Sequence, residues 1–166
     1  MGVLRLIFSG KKEVNYKGMK TTKPVLAIIS HDSKKEDTVL LVKAHKQELA
    51  GVELVATRGT GQVIQARTGL PVTLLQSGPY GGDQQVGALV ANGDVEAVIF
   101  LRDPLMAHPH EPDVSALLRV CDVQNVPLAT NLASAEAVLH LLFDHPLAAG
   151  GHNLIAQSIS DKAAVY

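Results

Sequence analysis

A single carboxylate, Asp83, lies inside the glycine-rich segment of residues 77–87. An apolar segment of strand length precedes this segment, and apolar residues at helical spacing follow it. We therefore expect Asp83 where the end of a strand meets the start of a helix. Glycines at such a place let a ligand approach backbone N–H groups, and a helix N-terminus favours negative charge. The alternative interpretation is a plain turn in which Asp83 is the helix N-cap.

Two other polar segments carry acids and histidines that could move protons beside a carbonyl group. These residues are Asp32, Asp103 and Asp113, with His31, His108 and His110. A metal site is the competing interpretation, because two histidines and two aspartates of this set could bind zinc or manganese. First-row metal sites usually have better-defined spacing, so proton transfer is the favoured interpretation.

Hydroxyls, glycine N–H groups and a lysine occur next to the predicted helix starts, a combination that suits a phosphate monoester. The residues are Lys35, Thr57, Gly59, Thr60, Ser77 and Gly78. The sequence has neither a P-loop pattern nor Gly-x-Gly-x-x-Gly after the first apolar segment. A nucleoside triphosphate or a dinucleotide is therefore not indicated, and a small phosphate ester is expected.

Five apolar segments of strand length alternate with helical patterns along the chain. They are residues 25–30, 54–56, 72–75, 95–101 and 127–131. This alternation predicts a single doubly wound α/β domain with a five-stranded, mostly parallel sheet flanked by helices. In such sheets, ligands bind beyond the carboxyl ends of the strands. The polar segments all follow predicted strands, so we expect them to meet at one edge of the sheet.

Local patterns predict the environment of one loop, one cysteine and one histidine. The three prolines in and beside residues 105–113 predict a loop without regular helix. Cys121 falls on the apolar face of the helix that follows, so we expect a core residue and not a nucleophile. His45 shares a helical face with Leu41 and Leu49 and is expected to be packed.

Composition sets limits on the kind of protein. The chain has 166 residues, of which 46% are hydrophobic and 19% charged, typical of one globular domain. Its net charge of −1 gives no general attraction to nucleic acid or to acidic membranes. Residues 1–23 are basic and are interpreted as an N-terminal arm. One cysteine, no long apolar run and no signal peptide together predict a cytoplasmic protein.

Three motifs in the sequence resemble those of methylglyoxal synthases. They are Gly-Pro-x-Gly-Gly-Asp-Gln-Gln-Val-Gly-Ala-Leu at residues 78–89, Asp-Pro-Leu at 103–105 and Pro-His-x-Pro-Asp-Val at 109–114. The resemblance covers the chain from about Pro24 to Leu142. It implies a lyase that converts dihydroxyacetone phosphate to methylglyoxal and inorganic phosphate without a metal or organic cofactor. It also implies a homo-oligomer, a hexamer in the family, with phosphate as product and as an inhibitor.

The resemblance assigns roles to individual residues. Asp83 resembles the catalytic base, His110 the imidazole at the substrate oxygens, and Asp103 and Asp113 its acidic neighbours. The substrate and phosphate contacts implied are His31, Lys35, Thr57, Arg58, Gly59, Thr60, Ser77 and Gly78.

Two features depart from the family pattern. The usual Thr-Gly-Thr-Thr-Gly is here Thr-Arg-Gly-Thr-Gly at residues 57–61, which predicts altered phosphate binding. The C-terminal tail of the family typically carries an arginine implicated in contacts between subunits, whereas the tail after Pro146 here contains none. The resemblance therefore does not extend to phosphate-linked cooperativity between subunits.

Two other classes of protein are alternatives. The same fold resembles the regulatory domain of carbamoyl-phosphate synthetase large subunits, which binds effectors without chemistry. The setting of Asp83 and a free-standing chain of this length favour the enzyme. A metal-dependent phosphatase is a third interpretation, and it would require the segment containing His108 and His110 to bind a metal.

Overall fold

The computed structural model describes residues 23–144, and a five-stranded sheet runs through their centre. Its strands are β1 (Val25–Ser30), β2 (Glu53–Ala56), β3 (Val72–Leu74), β4 (Ala97–Leu101) and β5 (Leu128–Ala129). They lie in the order β3-β2-β1-β4-β5, and each pairing between neighbours is parallel. Every residue of β1 and β4 is buried, which explains why both strands are continuous apolar runs.

Helices cover both faces of the sheet. They are α1 (Lys35–Ala44), α2 (Lys46–Leu49), α3 (Arg58–Thr68), α4 (Gly82–Ala91), α5 (Glu111–Gln124) and α6 (Leu132–Asp144). Helices α1, α2, α3 and α6 pack on one face, and α4 and α5 pack on the other. Short 3-10 turns, Asp32–Lys34 and Gly78–Tyr80, precede α1 and α4. None of the helices within residues 23–144 is both long and apolar enough to cross a membrane.

The sheet order creates a crevice beyond the carboxyl end of β1. From β1 the chain runs outward through β2 to β3, then returns past β1 to form β4 and β5 on the other side. The connections that leave β1 and β4 therefore diverge to opposite faces of the sheet. A crevice opens at such a switch point, and ligands bind there in open α/β sheets.

The predicted architecture is confirmed, with small differences in the strand bounds. All five predicted strands are present, and the sheet is entirely parallel within the described residues. Strand β4 begins at Ala97, two residues later than predicted, and β5 is limited to Leu128–Ala129. The basic arm, apart from Lys23, and the tail after Pro146 lie outside the described residues.

The prediction that residues 105–113 contain no regular helix is wrong for the last three of these residues. Helix α5 begins at Glu111, with Pro112 in its first turn. A proline is tolerated there because the first N–H groups of a helix have no intrahelical partner.

The helix expected to run through His45 is also divided. Helix α1 ends at Ala44 and α2 begins at Lys46, so His45 lies between them. Its Nε2 lies 2.7 Å from Glu136 Oε2, and the ring is largely buried, as expected of a packed histidine.

Cys121 is fully buried on α5 against the sheet. Burial raises the pKa of its thiol to about 11, which leaves it un-ionised at neutral pH. The prediction of a core cysteine is confirmed.

Candidate active site

A pocket of ≈ 390 Å³ opens at the crevice, beyond the carboxyl ends of the central strands. Residues that follow four different strands line it, as the sheet topology requires. The predicted site residues that line this pocket are His31, Lys35, Thr57, Gly59, Thr60, Gly78, Asp83, Asp103 and His110.

Asp83 lies in the first turn of α4 and is 1% exposed. Neither carboxylate oxygen has a hydrogen-bond partner among the described residues, and His110 Nε2 lies 3.7 Å from Oδ2. Burial raises the pKa of Asp83, His110 opposes that effect, and Asp113 adds to it. A buried carboxylate without donors is a stronger base than an exposed one, because its charged form is poorly solvated.

Glycines of the segment before α4 determine where Asp83 points. Gly81 has φ +91° and is the helix N-cap, so the interpretation of Asp83 as the N-cap is wrong. At Gly82, a Cβ would lie 2.1 Å from the Gln76 carbonyl oxygen, a distance that excludes any side chain. At Gly78, a Cβ would lie 3.3 Å from Asp83 Oδ2, so the missing side chain leaves space in front of the carboxylate.

His31 follows β1 and presents a hydrogen-bond donor to the pocket. Its Nδ1 accepts a hydrogen bond from the backbone N–H of Asp103 at 2.9 Å, so the proton of the neutral ring lies on Nε2. Nε2 is buried and has no partner among the described residues. Burial, with smaller contributions from His108 and His110, lowers the pKa of His31 to about 4. The ring is therefore neutral at physiological pH.

The chain between β4 and α5 adds two imidazoles. His110 is the N-cap residue of α5, and its carbonyl accepts the N–H of Asp113 at 2.9 Å. The ring centroid of His108 lies 3.7 Å from that of His31 and 5.6 Å from that of His110. His108 Nε2 and His110 Nδ1 are buried and without partners among the described residues.

Lys35 and the first turn of α3 form a positive end of the pocket. The Lys35 ammonium contacts the Asp32 carboxylate, and a Cβ on Gly59 would lie 3.1 Å from Lys35 Nζ. The N–H groups of Gly59 and Thr60 precede the first intrahelical bond of α3, which Gly61 donates to the Thr57 carbonyl. Unused helix N–H groups beside a lysine form a site for an anion.

The threonine hydroxyls of this end are also used inside the fold. Thr60 Oγ1 accepts the Ser30 backbone N–H at 3.1 Å and the Thr57 hydroxyl at 3.2 Å. These bonds hold the start of α3 against the end of β1. Both hydroxyls are therefore already engaged in hydrogen bonds within the protein.

Asp103 and Asp113, the predicted acidic neighbours, make structural hydrogen bonds. Asp103 Oδ2 accepts the Ser33 hydroxyl at 2.7 Å and Oδ1 accepts the Leu105 N–H at 3.0 Å, which lowers the pKa of Asp103. Asp113 Oδ1 accepts Gln84 Nε2 at 2.9 Å and joins α5 to α4. Asp103 lines the pocket but Asp113 does not.

Two further predicted residues do not line the pocket. Arg58 is exposed, and its N–H donates to the Gln76 carbonyl at 3.3 Å. The Ser77 carbonyl accepts the N–H groups of Tyr80 and Gly82, each at 3.0 Å. Both residues shape the approach to the site without facing it.

The sequence did not indicate four of the lining residues, which are Ile29, Ser30, Ser33 and Met106. Asp32 and His108, which were candidates for proton transfer without an assigned role, also line the pocket. Proximity to His31 was the available signal for Ser30 and Ser33, since both lie within two positions of it. Met106 has no distinguishing signal in the sequence, because only the path of the chain after β4 brings it to the pocket.

The four residues of the metal interpretation are not gathered into one ligand set. Within residues 23–144, no group of three or more histidines, cysteines or acids has the arrangement of a metal site. Asp113 hydrogen-bonds Gln84, and Asp103 hydrogen-bonds Ser33.

Comparison with known proteins assigns the family. The family model of the MGS-like domain matches residues 37–130. The methylglyoxal synthase of Moorella thermoacetica is 60% identical over 121 residues, 73% of this chain and 94% of that protein. The methylglyoxal synthase of Carboxydothermus hydrogenoformans is 57% identical over 117 residues, 70% of this chain and 97% of that protein.

A solved structure has the same fold. The crystal structure of methylglyoxal synthase from Elizabethkingia anophelis matches with a TM-score of 0.67 and 41% identity, over 70% of this chain and 77% of that one. The chain belongs to the methylglyoxal synthase family, which confirms the predicted resemblance and the prediction of an enzyme of this family.

Proposed function

We propose that this protein is a methylglyoxal synthase, a lyase that converts dihydroxyacetone phosphate to methylglyoxal and inorganic phosphate. The observation that carries the proposal is the buried Asp83 carboxylate, which faces the pocket without a hydrogen-bond donor. Relatives named methylglyoxal synthase at 57–60% identity support the same assignment.

The first step is proton abstraction by Asp83. The carboxylate takes a proton from the substrate carbon that bears the hydroxyl, and an enediolate forms. The Nε2–H of neutral His31 and the imidazole of His110 stabilise the charge on its oxygens. Triosephosphate isomerase uses the same combination of a carboxylate base and a neutral histidine.

The second step is loss of phosphate. The C–O bond to the phosphate breaks as the enediolate electrons form the new double bond, and the resulting enol rearranges to methylglyoxal. Elimination requires that bond to stand perpendicular to the plane of the enediolate, so that it overlaps the π system. Lys35 and the N–H groups of Gly59 and Thr60 would hold the phosphate at this angle.

The proposed reaction needs neither a metal nor an organic cofactor. The Asp83 carboxylate, the neutral ring of His31, the imidazole of His110 and Lys35 together supply the proton transfer and the charge stabilisation. Activity is therefore expected to survive exhaustive treatment with a chelator. Loss of turnover that added zinc or manganese restores would contradict this part of the proposal.

The assembly and location are proposed on resemblance to the family. We expect a homo-oligomer, a hexamer by resemblance, in the cytoplasm, with inorganic phosphate as product and inhibitor and with neither nucleic acid nor membrane as partner. Light scattering at micromolar concentration tests the assembly, and a monomer would contradict it.

Incubation with dihydroxyacetone phosphate tests the proposed function directly. Formation of methylglyoxal by the wild-type protein, and its loss in Asp83→Asn, is the expected result. Calorimetry with phosphoglycolate serves as a parallel measure of binding. A wild-type protein that binds phosphoglycolate but produces no methylglyoxal would instead favour the regulatory domain.

A further inference from the structure

His108 lies in the pocket but has no role in the reaction described above. Its ring centroid is 3.7 Å from that of His31, with the ring planes 37° apart. Its Nε2 is buried and has no hydrogen-bond partner among the described residues. Packing this close between two imidazoles restricts how either ring can turn.

The ring of His31 is held from several sides. Phe100 packs edge-on against it with ring centroids 5.2 Å apart, and the Asp103 N–H donates to Nδ1 at 2.9 Å. Protonation of Nδ1 would break that hydrogen bond, since an N–H cannot donate to a protonated nitrogen. The remaining freedom of His31 is rotation of its ring away from Asp103, and His108 occupies the space beside the ring.

We propose that His108 is a positioning residue that keeps His31 as the neutral tautomer with its proton on Nε2. His31 then offers one donor, fixed in direction, to an oxygen of the bound ligand. This role in binding rests on the proposed function, whereas the tautomer of His31 does not.

The charges around His31 act in both directions. His108 and His110, when protonated, lower the pKa of His31, and Glu111 and Asp103 raise it. The other titratable residues that line the pocket are Asp32, Lys35 and Asp83. Burial is the largest cause of the lowered pKa, and the ring of His108 contributes to that burial by covering His31.

Nuclear magnetic resonance of ¹⁵N-labelled imidazoles measures the tautomer without requiring turnover. The His31 signals are assigned by their loss in His31→Asn. In wild type we expect an unprotonated Nδ1 and a protonated Nε2 throughout the pH range above about 5. In His108→Ala we expect both tautomers and a pKa of His31 raised by about one unit.

A second variant separates ring packing from charge. His108→Phe keeps an aromatic ring against His31, so the single tautomer should persist, with a smaller rise in pKa than in His108→Ala. His140→Ala is the control, because His140 is an exposed residue of α6 and lies outside the pocket lining. It should leave the His31 signals unchanged.

Ligand binding supplies the link to function. Phosphoglycolate should bind His108→Ala about two- to tenfold more weakly than wild type at pH 7, the usual effect of one misdirected hydrogen bond. His108→Phe should bind it more tightly than His108→Ala does, and His140→Ala should bind it as wild type does. If wild type does not bind phosphoglycolate, the proposed function fails while the tautomer result still stands.

Two results would overturn the role of His108. One is a folded His108→Ala in which His31 keeps a single Nε2–H tautomer and its wild-type pKa. The other is a folded His108→Phe in which His31 loses that tautomer, because ring packing would then not be what holds it.

Discussion

Two connections leave the same edge of the sheet, and the pKa values of their aspartates are shifted in opposite directions. The β3–α4 segment (residues 75–81) leads into Asp83, whose oxygens lack hydrogen-bond donors and whose pKa is raised. The β4–α5 loop (residues 102–110) contains Asp103, whose oxygens accept two hydrogen bonds and whose pKa is lowered. The number of hydrogen-bond donors around each aspartate thus helps to set the direction of its pKa shift.

The backbone produces this difference. Gly78 and Gly82 allow the β3–α4 segment to pass so close to its neighbours that the Asp83 carboxylate is enclosed without a hydrogen bond from the described residues. In the β4–α5 loop, the Leu105 N–H and the Ser33 hydroxyl both reach the Asp103 carboxylate. The enclosed acid has the raised basicity that the proposed proton abstraction needs, whereas the hydrogen-bonded acid holds the loop in place.

The largest expected effect is that of Asp83→Asn. Removal of the proton acceptor should lower turnover by about 10²- to 10⁴-fold, the usual cost of losing a general base. Phosphoglycolate binding, measured by calorimetry, should be retained because the proposed phosphate contacts lie elsewhere. Turnover near the wild-type level would mean that Asp83 is not the base, and Asp113 would then be the next candidate.

Gly78→Ala should have the next largest effect. The new methyl group would lie 3.3 Å from both Asp83 Oδ2 and His110 Nε2, in the space in front of the proposed base. Displacement of the substrate by about 1 Å should lower kcat/KM by about 10- to 100-fold.

The matched control for this variant is Gly87→Ala in α4. A Cβ there would lie 3.7 Å from Val120 Cγ1, an ordinary contact. Equal kinetic losses in the two variants would show that the effect of Gly78→Ala arises from general damage to α4.

Asp103→Asn should have a smaller effect on turnover, about tenfold or less. The amide oxygen can still accept the Leu105 N–H, and the Ser33 hydroxyl can accept from the amide nitrogen. Steady-state kinetics beside Asp83→Asn measures the contrast directly. A loss as large as that of Asp83→Asn would remove the distinction between the two acids.

The smallest effect concerns stability. The pKa of Asp83 is raised in the folded state, so its ionised form opposes folding fully above that pKa. This cost disappears as the pH falls below the unfolded-state value of 3.8. Asp83→Asn should therefore unfold at a higher temperature than wild type at pH 7.

The higher unfolding temperature of Asp83→Asn should approach that of wild type as the pH falls. The Asp83 carboxyl of wild type then becomes protonated, and the free-energy cost of its buried charge disappears. Asp103 provides the opposite sign, since its pKa is lowered in the folded state. An Asp83→Asn variant less stable than wild type at pH 7 would contradict the raised pKa.

Much of the fold could be predicted because the sheet is buried on both faces. Strands such as β1 and β4 must then be continuous apolar runs, which stand out in the sequence. The position of Asp83 followed from the glycines around it. These signals are local, so a single sequence contains them.

The remaining features depend on contacts between distant segments. The use of the Thr60 hydroxyl by Ser30, and the packing of His108 on His31, follow from the path of the chain in space. The start of α5 at Glu111 was missed because a proline that breaks a helix interior is acceptable in the first turn.

The central position of β1 has a consequence for how the molecule folds. Strand β2 follows β1 closely in the chain, but the Asp103 N–H that fixes His31 lies 72 positions away. Contacts between residues so far apart in the sequence require a large loop to close before the second half of the sheet can form. During synthesis, β1 and β2 can pair early, whereas the pocket is completed only after β4 and the start of α5 have emerged from the ribosome.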